Sequence, residues 1–169
     1  MNSKELKFLQ APLKDTYRSQ PESALITLKA QGEIGEGISC KVETGRALVE
    51  AGLHAATGGD GMLACSGDLL LEALVACAGV TLSAVATAIE IEIKSGTIKA
   101  EGDLDFRGTL GVSKEAPVGF KEIRLQFNID CDASPEKLES LLKLTERYCV
   151  VYQTLKNGAE TKTRMNILN

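Results

Sequence analysis

The sequence predicts an α+β fold in which antiparallel sheets pack around one long buried central helix, with two copies of the chain closing on each other as an intertwined homodimer. Three observations carry that expectation. Segments on either side of residues 64–89 alternate apolar and polar residues with the period of a half-buried strand. The stretch between them, ACSGDLLLEALVACAGVTLSAVATAI, is apolar on nearly every side and as a helix needs cover all round. One meander and a short helix pair leave part of that helix bare, and a two-fold copy is the simplest closure.

In chain order, residues 1–21 read as a polar N-terminal arm whose weak helical pattern is broken by Pro12 and ended by Pro21, and residues 22–169 as a single domain. ALITLKAQGEI (24–34), ISCKVET (38–44) and RALVEAG (46–52) alternate as strands, separated by Gly35, Gly37 and Thr44-Gly45, which makes a three-strand meander. LHAATGGDGML (53–63) is a glycine-rich loop, and its TGGDG run does not fit a phosphate-binding pattern. The central helix starts near Ser66, whose hydroxyl can cap it, and runs to about Ile89 with Asp68 well placed in the first turn. GTIKAEGDLDFRG (96–108) and FKEIRLQFNIDC (120–131) follow as long strands joined by TLGVSKEAPVG. Ser134 then caps, and Pro135 opens, an amphipathic helix with Leu138, Leu141, Leu142 and Leu144 on one stripe. CVVYQTLKNG (149–158) is a second short helix ending at Gly158, and ETKTRMNIL (160–168) alternates as a last strand.

A chain of 169 residues buries about two thirds of its unfolded surface without disulfide staples. Its formal charge of -4 speaks against a phosphate-binding surface, so no nucleic acid partner is expected. MNSKELKFLQAPLK lacks the uninterrupted apolar core of a signal peptide, which reads as a cytoplasmic protein with reduced thiols. The central helix has the length of a membrane span, but Glu72, Thr81, Ser83 and Thr87 interrupt it and no basic or aromatic cluster flanks it; no membrane partner is expected. Five cysteines without a CxxC, and the single histidine His54, make no tetrahedral metal set.

Cys77 stands in the middle of the apolar helix, where it either packs as a small hydrophobe or serves as a reactive thiol. LLLEALVACAGVTL, EGDLDFRG, PVGFKEIRLQFNID and ERYCVVYQTL, in that order, resemble the OsmC/Ohr family, the osmotically inducible and organic hydroperoxide resistance proteins, over roughly residues 24–168. The resemblance implies an OsmC-like fold and a thiol peroxidase for organic hydroperoxides, with no bound cofactor and recycling by an external lipoyl-type dithiol or a lipoylated protein. It makes Cys77 the peroxidatic cysteine, oxidised to a sulfenic acid, and Cys149 the resolving one that captures it as a disulfide. Leu74 and its apolar neighbours would then line the pocket for the alkyl group.

The chain departs from the family where the first cysteine is activated. The family supplies an arginine from an early strand turn and a glutamate at the helix start, about ten residues before the cysteine. Here that position is Gly67, beside Asp68, and the turn GEIGEG holds no arginine. Burial raises a thiol pKa and the helix dipole fades after the first turn, so without a substitute cation Cys77 is expected to be a slow nucleophile. Arg147, two residues before Cys149, is the preferred substitute, with Arg46 and Arg107 as others. Cys65, at the helix start, is a second resolving thiol, the nucleophile itself or neither; His54 lines the pocket or is simply exposed; Cys40 and Cys131 read as structural strand cysteines. Two functions remain open, a hydroperoxide-reducing enzyme and an OsmC-like module that holds an apolar ligand or partner.

Overall fold

A computed structural model describes residues 2–5, 8, 10, 11, 19, 31–34, 39–43, 48–111 and 113–167. Strands β1 (Gln31–Ile34), β2 (Ser39–Glu43) and β3 (Leu48–Gly52) form an antiparallel meander, and the two-residue β4 (Ala64–Cys65) joins parallel to β3. Helix α1 (Ser66–Ala88) follows. The second sheet is a long antiparallel ribbon of β5 (Ile93–Leu104) and β6 (Phe120–Cys131), with the one-turn helix α2 (Phe106–Thr109) in the connection. Helices α3 (Pro135–Tyr148) and α4 (Val150–Asn157) complete the order. Residues 24–30 of the first expected strand, most of the N-terminal arm, Arg46 and the Cys40 side chain lie outside the described residues.

Local sequence explains most boundaries. The Ser134 hydroxyl accepts from Lys137 N–H, and Pro135 needs no donor at the first helical position, so α3 begins where expected. Helix α1 begins at Ser66 as expected, but Cys65 and not Ser66 is the N-cap, because pairing with Gly52 holds Cys65 extended, and its thiol makes no cap bond. β5 ends at Leu104 rather than 108, because the Asp105 carboxylate accepts from Arg107 N–H at 3.2 Å and starts α2. The expected last strand is not formed. Residues 159–167 have no regular structure and are exposed, Met165 at 89% and Ile167 at 83%, because among the described residues their alternating apolar residues find no sheet to pair with or bury against.

The core sits along one stripe of α1. Leu82, Val85 and Ala86 pack with Ile91 and Leu141, backed by Phe127 and Ile129; Leu74 and Ala78 pack with Cys149, backed by Ile98, Ile123 and Leu125. Ribbon, α3 and α4 therefore cover one side of the helix, whose length and composition alone would also permit a membrane crossing. The other side, with Leu70, Ala73, Ala76, Val80 and Ala84, is bare within one chain.

The C-terminus of α1 closes by a Schellman motif: Ile91 N–H donates to Ala86 C=O at 2.8 Å and Glu90 N–H to Thr87 C=O at 3.4 Å. The motif places Ile91 back in the core beside Ala86, and it requires a left-handed residue, here Glu90 at φ 59°. A non-glycine residue in that conformation costs about 1 kcal/mol. Urea denaturation should find Glu90→Gly more stable than the natural protein by about 1 kcal/mol, with Glu90→Ala within about 0.5 kcal/mol of it. No gain in Glu90→Gly would mean that the glutamate side chain offsets its own strain.

Candidate functional site

The spacing of Leu74, Ala78 and Leu82 turns one ridge of α1 towards the ribbon and the α3–α4 pair, and Cys77 lies half-buried at its edge. Cys149 is the single residue between α3 and α4. Its N–H donates to Thr145 C=O at 2.9 Å, closing α3, and its C=O accepts from Gln153 N–H at 2.9 Å, opening α4. The Gln153 side chain also donates to Glu146 C=O at 2.8 Å, tying α4 against the end of α3. Its extended backbone (φ -73°, ψ 107°) makes Cys149 the cap of both helices, and it is only 1% exposed. This one-residue joint aims the start of α4 at α1, and Cys77 packs in the same cluster as Cys149, Val151 and Tyr152.

The first amides of a helix have no intrahelical acceptor, and together they carry partial positive charge. At α4 no side chain satisfies them: Cys149 makes no cap bond, and no acidic residue stands in the first turn. These amides lie beside the two thiols and act on their acidity. Burial pushes the Cys77 thiol up, but the Val151 N–H, the Cys149 thiol, the Val150 N–H and the Thr81 hydroxyl favour the thiolate and leave it below its ordinary value. Burial pushes the Cys149 thiol up as well. There the Tyr152 and Val151 amides oppose it without overcoming it, and the neighbouring Cys77 charge adds to the rise. The pair is therefore uneven: Cys77 ionises first, and Cys149 keeps its proton and donates towards the Cys77 sulfur.

Burial remains the largest single influence on the Cys77 thiol, as expected, but the Val151 amide, the Cys149 thiol, the Val150 amide and Thr81 together outweigh it, and no cation is among them. Arg147 is exposed and its guanidinium lies over the Tyr148 ring, 5.6 Å from the centroid, outside the groups that act on Cys77. Arg107 is held by Asp105 at 2.6 Å, and that carboxyl is lowered to about 2 by the pairing. Arg46 is outside the described residues. Cys65 caps α1 more than three turns before Cys77, roughly 18 Å away along the axis at ~1.5 Å per residue, so the structure does not bring the two together. A Cβ added to Gly67 would meet the Phe120 ring at 3.4 Å and Cys65 Sγ at 3.5 Å, at that same distant end of the helix.

Cys65 instead shares a cleft of about 360 Å³ with His54, Asp68 and Phe120. His54 is exposed, accepts from Ala56 N–H through Nδ1 at 3.0 Å, and stacks on Phe106 with ring centroids 4.9 Å apart. Cys131 ends β6 and packs against the Leu82 cluster. Leu74, 1% exposed, packs on Cys149 and also lines a groove of about 700 Å³ between β6, α3 and α4, whose walls include Ile123, Leu125, Phe127, Tyr152 and Leu155, with Lys121 and Lys156 also lining it. The groove and the thiol cluster share Leu74 and Tyr152; neither thiol lines the groove. Among the described residues no group of three or more His, Cys, Asp or Glu side chains is arranged to hold a metal ion.

Thr81 and the α4 amides are the participants that side-chain motifs missed. Thr81 stands four residues after Cys77, one turn on, and the sequence signal for the amides is the run Tyr-Cys-Val-Val-Tyr, a helix start without Ser, Thr, Asp or Asn to cap it.

The family described as OsmC-like protein matches residues 59–164. Among solved structures, an OsmC-like protein from Mycoplasma pneumoniae superposes with a TM-score of 0.65 at 17% identity, covering 78% of this chain and 89% of that one. An organic hydroperoxide resistance protein OsmC from Legionella pneumophila gives 0.62 at 18% identity, covering 79% and 92%. Another organic hydroperoxide resistance protein, from Elizabethkingia anophelis, gives 0.61 at 20% identity, covering 79% and 91%. These likenesses are of fold. No curated protein matches the sequence.

The site predicts a specific pattern of thiol reactivity. In the natural protein the pH midpoint for alkylation of Cys77, followed by peptide mass mapping, should lie below that of an unperturbed thiol. Thr81→Val should raise it by removing a donor to the thiolate, and Arg147→Ala should leave it in place. The reverse pattern would return the activating role to the arginine.

Proposed function

The chain belongs to the OsmC-like protein family, and from that premise we propose that it reduces organic hydroperoxides in defence against peroxide stress, with Cys77 as the peroxidatic thiol and Cys149 as the resolving one. The observation that carries this reading is the packing of Cys77 and Cys149 in one cluster at the uncapped start of α4. The Cys77 thiolate attacks the distal oxygen of the peroxide; the O–O bond breaks, the alkoxide takes a proton and leaves as an alcohol, and Cys77 becomes a sulfenic acid. Cys149 then gives up its proton and attacks the Cys77 sulfur, expelling water and leaving a disulfide. The α4 amides face both sulfurs and offset the negative charge that moves between them. An external dithiol of lipoyl type, free or carried on a lipoylated protein, restores the pair, and no bound cofactor takes part.

The bare stripe of α1, with Leu70 at 37% and Val80 at 72% exposure, supports the homodimer: a second copy laid along it covers what one chain leaves open. Reduced thiols suit a cytoplasmic setting. One observation favours a second reading, an apolar-ligand module of the same fold: the groove of about 700 Å³ is lined by Leu74 and its neighbours but by neither thiol.

Lipoyl-coupled turnover with cumyl or tert-butyl hydroperoxide should exceed that with hydrogen peroxide by at least about tenfold in kcat/KM, since each methylene buried contributes about 0.8 kcal/mol. Cys77→Ser should abolish turnover, and Cys149→Ser should trap a Cys77 sulfenic acid. Turnover no better than a free thiol, together with an apolar probe bound in the groove, would favour the module. Sedimentation at micromolar concentration should report twice the chain mass of 18.0 kDa, and a stable monomer would contradict the dimer.

A further inference from the structure

We infer that the reducing thiol reopens the Cys77–Cys149 disulfide by attacking the Cys77 sulfur, with Cys149 as the leaving group; this rests on the pairing proposed above. Thiol–disulfide exchange needs the nucleophile in line with the bond, behind the sulfur it attacks. Behind Cys149 lies the protein's own core. The residue is 1% exposed, wedged between the end of α3 and the start of α4, and packed on Leu74 and Ala78, themselves 1% and 0% exposed. Cys77 is half-buried at the edge of its ridge, and of the two sulfurs it belongs to the less covered residue. The residues packed around Cys149 belong to its own chain.

The step balances. A thiolate of the external dithiol donates its electron pair to Cys77 Sγ, the Cys77–Cys149 bond breaks, and Cys149 departs with the bonding pair as a thiolate that the Tyr152 and Val151 amides face. That thiolate takes a proton, and Cys77 is left in a mixed disulfide with the reductant. The reductant's second thiolate then attacks its own sulfur in that mixed disulfide, releasing the Cys77 thiolate and a cyclic disulfide. Thiol acidity alone would favour the opposite direction, because Cys77 is the better leaving group. Acidity modulates the rate of a collision, however, whereas 1% exposure denies the collision.

The full-length protein, oxidised with diamide so that bond formation does not depend on peroxidase activity, is mapped to establish the Cys77–Cys149 bond. It is then mixed with excess 2-mercaptoethanol, quenched in acid at times from milliseconds to seconds, and alkylated with N-ethylmaleimide. The mercaptoethanol adduct should appear on Cys77 and the maleimide on Cys149, outnumbering the reverse pattern by on the order of ten to one. An adduct mainly on Cys149, or an even partition, overturns the inference while leaving the pairing intact. Failure of diamide to join these two cysteines overturns the pairing and the inference with it.

Discussion

Burial of one stripe of α1 is the constraint on which the rest of the structure depends. Leu74, Ala78, Leu82, Val85 and Ala86 are the residues of this helix that the chain buries, and fully burying a leucine or valine side chain contributes about 1.5–3 kcal/mol. The β5–β6 ribbon, with Ile98, Ile123, Leu125 and Phe127 facing the helix, supplies one wall of the cover; Leu141 of α3 and Cys149 at the joint supply another. The end of the helix obeys the same demand. Glu90 accepts a left-handed backbone so that Ile91 can fold back into the core. Because the ridge must be covered, α3 and α4 are pressed against α1, and Cys149 is pressed against the turn of α1 that carries Cys77.

From that packing the chemistry follows with few polar side chains. A helix start usually finds its acceptor in a serine, threonine or aspartate one residue earlier. α4 has a cysteine there, followed by two valines, and its amides lie beside the two thiols. The arrangement separates the two thiols by environment: the one at the edge, reached by Val150 and Val151 amides and by Thr81, is driven towards the thiolate, and the one in the core is held protonated. A peroxidatic and a resolving thiol need that asymmetry. Gly67, beside Phe120 and Cys65 at the far end of α1, takes no part in it.

Much of this was legible in the residues and some was not, for physical reasons. The β6 run, the Ser134-Pro135 start of α3 and the Gly158 stop of α4 are local signals, and each marks its element. The shift of the cap from Ser66 to Cys65 at the start of α1 depends on β3–β4 pairing, which no local pattern contains. The short α2 had a local signal in Asp105, hidden inside a run that alternates like a strand. Residues 160–167 show that alternation is a property of a strand's faces and supplies no partner for its edges. Activation of Cys77 was sought among the arginines, because a cation has a letter in the sequence. A backbone amide has none, and only the missing cap before Val150 marks it.

The central claim is that Cys77, not Cys149, carries the negative charge when the pair loses its first proton. Cysteine labelled with 13C at Cβ gives each thiol its own NMR signal, and titration of the reduced protein follows the two ionisations side by side. The account predicts that the Cys77 signal moves at lower pH than that of an unperturbed thiol and that the Cys149 signal moves only after it. Movement of Cys149 first, or of both together at the ordinary thiol value, would contradict it.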